Sequence, residues 1–174
     1  MIETDIPSRL SIRDLGAPGD LGWMIMAHGE LYAAEFGWDT SFEALVAKIV
    51  ADFAGFAEPG EPAREAGWIA ELGGQRVGCV LCVADEDDRR AARLRILLVD
   101  PAARGHGVGA KLVDRCVDFA REAGYDRLDL WTNNVLGAAR RIYRSRGFVL
   151  EAENRHHSFG HDLVGESWSL TLAS

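Results

Sequence analysis

The stretch that most restricts how this chain can fold is LLVDPAARGHGVGA, residues 97–110. Here an apolar run passes through a proline turn and three alternating glycines, Gly105, Gly107 and Gly109, into a helical repeat. Such glycines let backbone N–H groups approach a ligand closely, and the helix behind them contributes its positive dipole end. Arg104 adds a guanidinium able to grip phosphate oxygens in a fork. The segment reads as an anion cradle at a strand-to-helix junction, which calls for an α/β architecture. A Walker loop does not fit, because Lys111 follows Ala110 and Leu112 stands where Ser or Thr is needed. A dinucleotide fingerprint half fits, with Gly105, Gly107, Ala110 and a later Asp129. That fold normally begins at its motif, whereas here three strand-like segments precede it.

Hydrophobic period and turn residues give the element order. A short strand, Leu10 to Asp14, precedes a helix from Asp20 to Phe36 that Gly37 stops. A second helix follows from a Thr40 to Glu43 capping box, with Phe42, Leu45, Val46, Ile49, Val50 and Phe53 on one face. A Glu-, Pro- and Gly-rich loop from Phe56 leads to a hairpin, Gly67 to Leu72 and Val77 to Ala84, around Gly73-Gly74. The acidic turn DEDDRR then introduces a third strand, Ala92 to Val99. Beyond the glycines come a helix ending at Ala123-Gly124, a strand Arg127 to Trp131, a helix Val135 to Arg146, and strands Phe148 to Ala152 and Ser167 to Leu172.

Composition narrows the partners. The 174 residues, 48% hydrophobic and 26% charged, suit one domain spanning 1–174. Nineteen basic against 27 acidic residues give a net charge of −8, which disfavours nucleic acid and suits a cationic small molecule. With no apolar run near the roughly 20 residues of a membrane span and no signal-like start, no membrane role is expected and the cytoplasm is the expected location. Three cysteines leave an odd thiol and no disulfide framework. Cys79 and Cys82 form a CxxC, but on a strand they point to opposite faces, and HHSFGH is irregular, so no metal is expected.

The element order and the RxxGxG spacing of Arg104, Gly107 and Gly109 resemble the GNAT family of N-acetyltransferases over nearly the whole chain. A second segment, LWTNNVLGAARRIYRSRGF, is similar to that family's strand, helix and "GF" stop. More narrowly, WTNNVLGAARRIY and HHSFGHDLVGESW resemble the acetyltransferase half of proteins that fuse a MarR-type regulator to such a domain. The resemblance implies the GNAT fold, α/β (α+β), with a mixed, mostly antiparallel sheet of six to seven strands and about four helices. It implies acetyl-CoA as co-substrate and an N-acetyltransferase that passes acetyl to a primary amine, on a small molecule or a peptide, by direct attack in a ternary complex. Leu97, Leu98 and Val99 would then offer backbone groups to pantetheine. The pyrophosphate would lie on Arg104, Gly105, His106, Gly107, Val108 and Gly109, with Ala110 at the helix start.

Tyr143 holds the position of the family's acid, able to protonate the departing thiolate, and otherwise reads as a core tyrosine. Asn134 would either touch the cofactor or cap the following helix, since Leu136 stands where the family often has Asn. For the general base the candidates are His28, Glu30 and Glu35 on the first helix, and His156, His157 and His161 after the sixth strand; His28 and Glu35 are favoured. His28 shares a stripe with Met24, Leu31, Tyr32 and Glu35, which also suits a core histidine. A catalytically weak acetyl-CoA-binding sensor is the alternative function. A homodimer through the final strand or nearby helix faces is a further expectation.

Overall fold

A computed structural model describes residues 9–53 and 59–172. The elements are β1 (Leu10–Asp14), α1 (Asp20–Phe36), α2 (Thr40–Asp52), β2 (Ala66–Leu72), β3 (Gln75–Ala84), β4 (Ala91–Val99), α3 (Val108–Glu122), β5 (Arg127–Asn133), α4 (Gly137–Ser145), β6 (Val149–Ser158) and β7 (His161–Thr171). The seven strands form one sheet in the order β1-β2-β3-β4-β5-β7-β6. Only β4 and β5 run parallel; every other neighbouring pair is antiparallel. The expected mixed sheet with four α-helices is present, and part of the expected loop from Phe56 lies outside the described residues. Among the described residues, no helix is long and apolar enough to cross a membrane.

Strand pleating divides the core into two layers. Trp68, Val80, Cys82, Leu94 and Leu128 face one way, onto Leu112, Val113 and Cys116 of α3 and Tyr143 of α4. Ile69, Cys79, Leu81 and Leu98 face the other way, onto Met24 of α1 and Val46 and Val50 of α2. Cys79 and Cys82 thus lie on opposite faces, as the alternation predicts.

Several boundaries differ from the sequence reading. Asp39, not Thr40, caps α2, its carboxylate accepting the Ser41 N–H at 3.0 Å. Helix α4 begins at Gly137 with Leu136 as a cap lacking a side-chain bond, so Asn134 caps nothing. Strands β6 and β7 extend to a two-residue turn at Phe159-Gly160, which puts His156 and His157 inside β6. Both turn residues have positive φ, 59° and 83°, the primed-turn geometry that suits twisted hairpins. A phenylalanine strains there, and packing holds it: its ring lies 4.9 Å from Trp38 and 5.1 Å from Phe42, centroid to centroid.

Asp20 anchors α1 to the sheet. Its buried carboxylate accepts the Gly16 and Ala17 N–H groups and pairs with Arg13 from β1 and Arg76 from β3, at 2.8 Å each. Arg13 above all holds this carboxyl well below the usual carboxylate range. Asp20→Ala leaves the Gly16 and Ala17 N–H groups without their acceptor, leaves Arg13 to Glu71 and Arg76 to the Pro18 carbonyl, and is expected to lower unfolding free energy in urea by about 3 kcal/mol.

Candidate active site

The site begins where β4 and β5 part. Their parallel pairing covers Ala91–Arg93 against Arg127–Asp129 and goes no further. In β4 a bulge follows: Cys79 faces Leu98 while Leu81 faces Arg95, so β4 carries one residue more than β3 across this step. Ile96 absorbs it at φ 48°, a conformation costly for a β-branched residue. The Cys79 thiol donates to the Ile96 carbonyl at 3.4 Å, and burial keeps that thiol protonated. The outer half of β4 is thereby turned away from β5, leaving backbone groups on that edge without a strand partner.

Two cavities meet at this gap. The first, about 600 Å³, runs between Leu97–Val99, the glycine loop and α4. At its end Gly105 (φ 86°) and Gly107 (φ 71°) have open space where a Cβ would stand. Gly107 caps α3, and the first i→i−4 bond comes from Lys111 at 3.1 Å, so the N–H groups of Val108, Gly109 and Ala110 have no intrahelical acceptor. Gly109 serves another purpose: a Cβ would come within 2.8 Å of Ile142, so its absence lets α3 approach α4.

Cations flank this cavity. Arg104 lines it but is bound to Glu35 of α1. Glu35 lines this cavity and not the second, which places it beside the anion cradle, away from the position expected of a base. Arg141 of α4 is a second cation in the lining, which sequence reasoning missed. In the pair Arg140-Arg141, Arg140 turns inward to buried Glu166 at 2.8 and 3.1 Å, and its neighbour is left facing the cleft. Adjacent arginines carry no sequence signal for that choice. Asn134 does not line the cavity; it is exposed, with its N–H given to Val164 and its carbonyl facing Arg140. Exposed His106 is likewise outside the lining.

The second cavity, about 720 Å³, lies between α2 and the open face of β4, β5 and β7. Tyr32, Leu97, Leu136 and Ala139 border both spaces. Its wall includes Trp131, 48% exposed, whose indole packs against Gly165; a Cβ there would come within 2.5 Å of the ring. Tyr143 and His28 also line it. The Tyr143 phenol is held well above its ordinary pKa by burial, so it stays protonated at neutral pH. Of the histidines only His28 reaches this cavity. His156 is engaged with Asn133 and Ser158 at 2.9 Å each, His157 with Asp162, and His161 with the Gly37 carbonyl.

His28 is 2% exposed, with Nδ1 2.7 Å from the Met24 carbonyl. Carbonyls only accept, so Nδ1 carries the proton and Nε2 presents a lone pair, which has no partner among the described residues. Burial lowers its pKa to about 4. It therefore accepts a hydrogen bond better than it keeps a proton.

The sequence profile of the acetyltransferase (GNAT) family matches residues 27–148. The chain belongs to the GNAT family. It is 38% identical over 91 residues to the N-acetylaspartate synthetase of Danio rerio, a match covering 52% of this chain and 32% of that protein. The matched segments span 21% to 56% of the curated relatives' lengths. Among solved structures, a GNAT-family protein from Desulfovibrio desulfuricans aligns with TM-score 0.74 at 17% identity, covering 95% of this chain and all of that one. The yncA protein of Salmonella typhimurium, solved with its cofactor acetyl-CoA, aligns with TM-score 0.69 at 19% identity, covering 96% of each chain. Both likenesses establish the fold, which is the GNAT fold.

The His28 environment has a consequence for acid stability. The folded pKa of about 4 lies below the ordinary 6.5, so between these values the unfolded chain binds more protons and acid favours unfolding. Between pH 6.5 and 4 the wild type is expected to lose up to about 3 kcal/mol that a His28→Phe variant does not lose. Urea unfolding of both proteins across this range checks it.

Proposed function

We propose that this GNAT protein transfers acetyl from acetyl-CoA to a primary amine by direct attack within a ternary complex. The observation that carries the reading is the pair of cavities meeting at the β4–β5 gap, one ending at an anion cradle and the other lined by a neutral histidine and a protonated phenol.

The first cavity fits CoA. The unpaired edge at Leu97–Val99 can bond the pantetheine amides, the free N–H groups around Gly105–Ala110 suit the pyrophosphate, and Arg104 and Arg141 supply positive charge. When bound, acetyl-CoA supplies an acetyl group activated as a thioester. His28 Nε2 accepts an N–H of the incoming amine and aims its lone pair; it is the amine-orienting residue, and water takes the surplus proton. Tyr143 Oη gives its proton to the departing thiolate. Glu166, held by Arg140 and accepting the Trp168 indole N–H at 3.3 Å, steadies the helix that carries Tyr143. All three cysteines are buried and none lines either cavity, which supports direct attack over an acyl-enzyme.

In assays of CoA release with an amine panel, Tyr143→Phe is expected to reduce kcat about 10²-fold with little change in acetyl-CoA affinity. Unchanged turnover makes Tyr143 a core residue. Tight acetyl-CoA binding with no turnover on any amine by the wild type supports the sensor reading. Gly107→Val puts a branched side chain at positive φ inside the cradle. It is expected to weaken acetyl-CoA binding by calorimetry at least about tenfold.

A further inference from the structure

The charges lining the second cavity are of both signs. Three arginines, Arg93, Arg95 and Arg127, line it with two acids, Asp129 and Glu151. Arg93 is satisfied by Asp85 at 2.7 Å, and Arg127 by Asp88 and Asp129 at 2.8 and 2.9 Å. Arg95, half-buried on β4 immediately before the bulge, makes no hydrogen bond or ion pair among the described residues. Its electrostatic neighbours Asp85, Glu86 and Asp52 act on it without an ion-pair contact. A half-buried guanidinium with no protein acceptor among the described residues is free to form a charge-assisted pair with an anion. The same cavity holds a group of opposite need: His28 Nε2, a buried acceptor with no donor among the described residues.

We propose that the acceptor is an amino acid, its amine bonded by His28 Nε2 and its carboxylate by Arg95. This rests on the acetyl-transfer reading and narrows the acceptor class from amines in general to amines bearing an anion. It also reverses the expectation, drawn from the net charge, of a cationic small molecule. Arg95 excludes acceptors with a second positive charge by repulsion and selects those whose carboxylate can form a forked pair.

The test uses the full chain, acetyl-CoA, and L-α-amino acids and ω-amino acids of increasing length, each beside its carboxamide. Acetylation and acceptor binding to the CoA-loaded protein are measured in parallel. The best amino acid is expected to exceed its carboxamide about 30-fold in kcat/KM, the worth of one charge-assisted contact. Arg95→Gln is expected to bring the pair within about threefold, and Arg95→Lys to keep part of the preference, with melting temperatures confirming that both variants fold. Carboxamides acetylated as well as their acids, or a preference unmoved by Arg95→Gln, overturn the proposal while leaving acetyl transfer intact. Arg95-dependent amino-acid binding without acetylation supports the acceptor site and defeats the transferase reading. Failure of every amino acid to bind overturns the proposal.

Discussion

Parallel pairing between β4 and β5 stops after Arg93 and Asp129, and the rest of the molecule is arranged around that interruption. A central sheet seldom leaves two neighbouring strands with unmet backbone groups, because each buried, unpaired N–H or C=O costs free energy. Here the gap is kept open by the extra residue at Ile96, whose strained backbone turns the outer half of β4 away. The aromatic contacts of Phe159 with Trp38 and Phe42 tie the β6–β7 turn to the α1–α2 corner, bracing the far wall. Helices α1 and α4 then bring Tyr32, Leu136 and Ala139 to the opening between the two cavities.

Charge in this protein is local. The net value of −8 says little about what either cavity accepts, because the acids are spent on particular arginines. Asp20 takes Arg13 and Arg76, Asp85 takes Arg93, and Glu35 takes Arg104. What a ligand meets is the remainder: Arg141 at the first cavity, and Arg95 with Glu151 in the second. The Glu35–Arg104 pair further means that a bound pyrophosphate must share or displace a carboxylate, so the cradle is better supplied by backbone N–H groups than by that arginine alone.

Much of this was legible in the sequence, and the limits have physical causes. Strand β1 and helix α1 match their expected spans, the helix because Gly37, at positive φ, stops it. The glycine triplet announced the cradle, although the close packing of Gly109 on Ile142 depends on a helix distant in sequence. Strand β6 runs past its expected end because 153–158 is polar throughout: as an edge strand it has no buried side to impose alternation there. Strand β7 starts earlier than expected, and its added stretch carries Gly165 and the buried, charged Glu166, which interrupt an apolar alternation. The α2 cap lies at Asp39, one residue before Thr40, a shift that hydrophobic pattern does not resolve. The partner of Glu35, the inward turn of Arg140 and the isolation of Arg95 are tertiary facts with no local signature.

The account stands or falls on where the acyl donor lies. A crystal structure with acetyl-CoA bound tests this most directly. The predicted result has pantetheine bonded along Leu97–Val99, pyrophosphate on the N–H groups around Gly105–Ala110, and the acetyl group at the opening bordered by Tyr32 and Leu136, facing His28 and Tyr143. A donor bound elsewhere, or one whose acetyl group is walled off from the cavity containing His28, contradicts it.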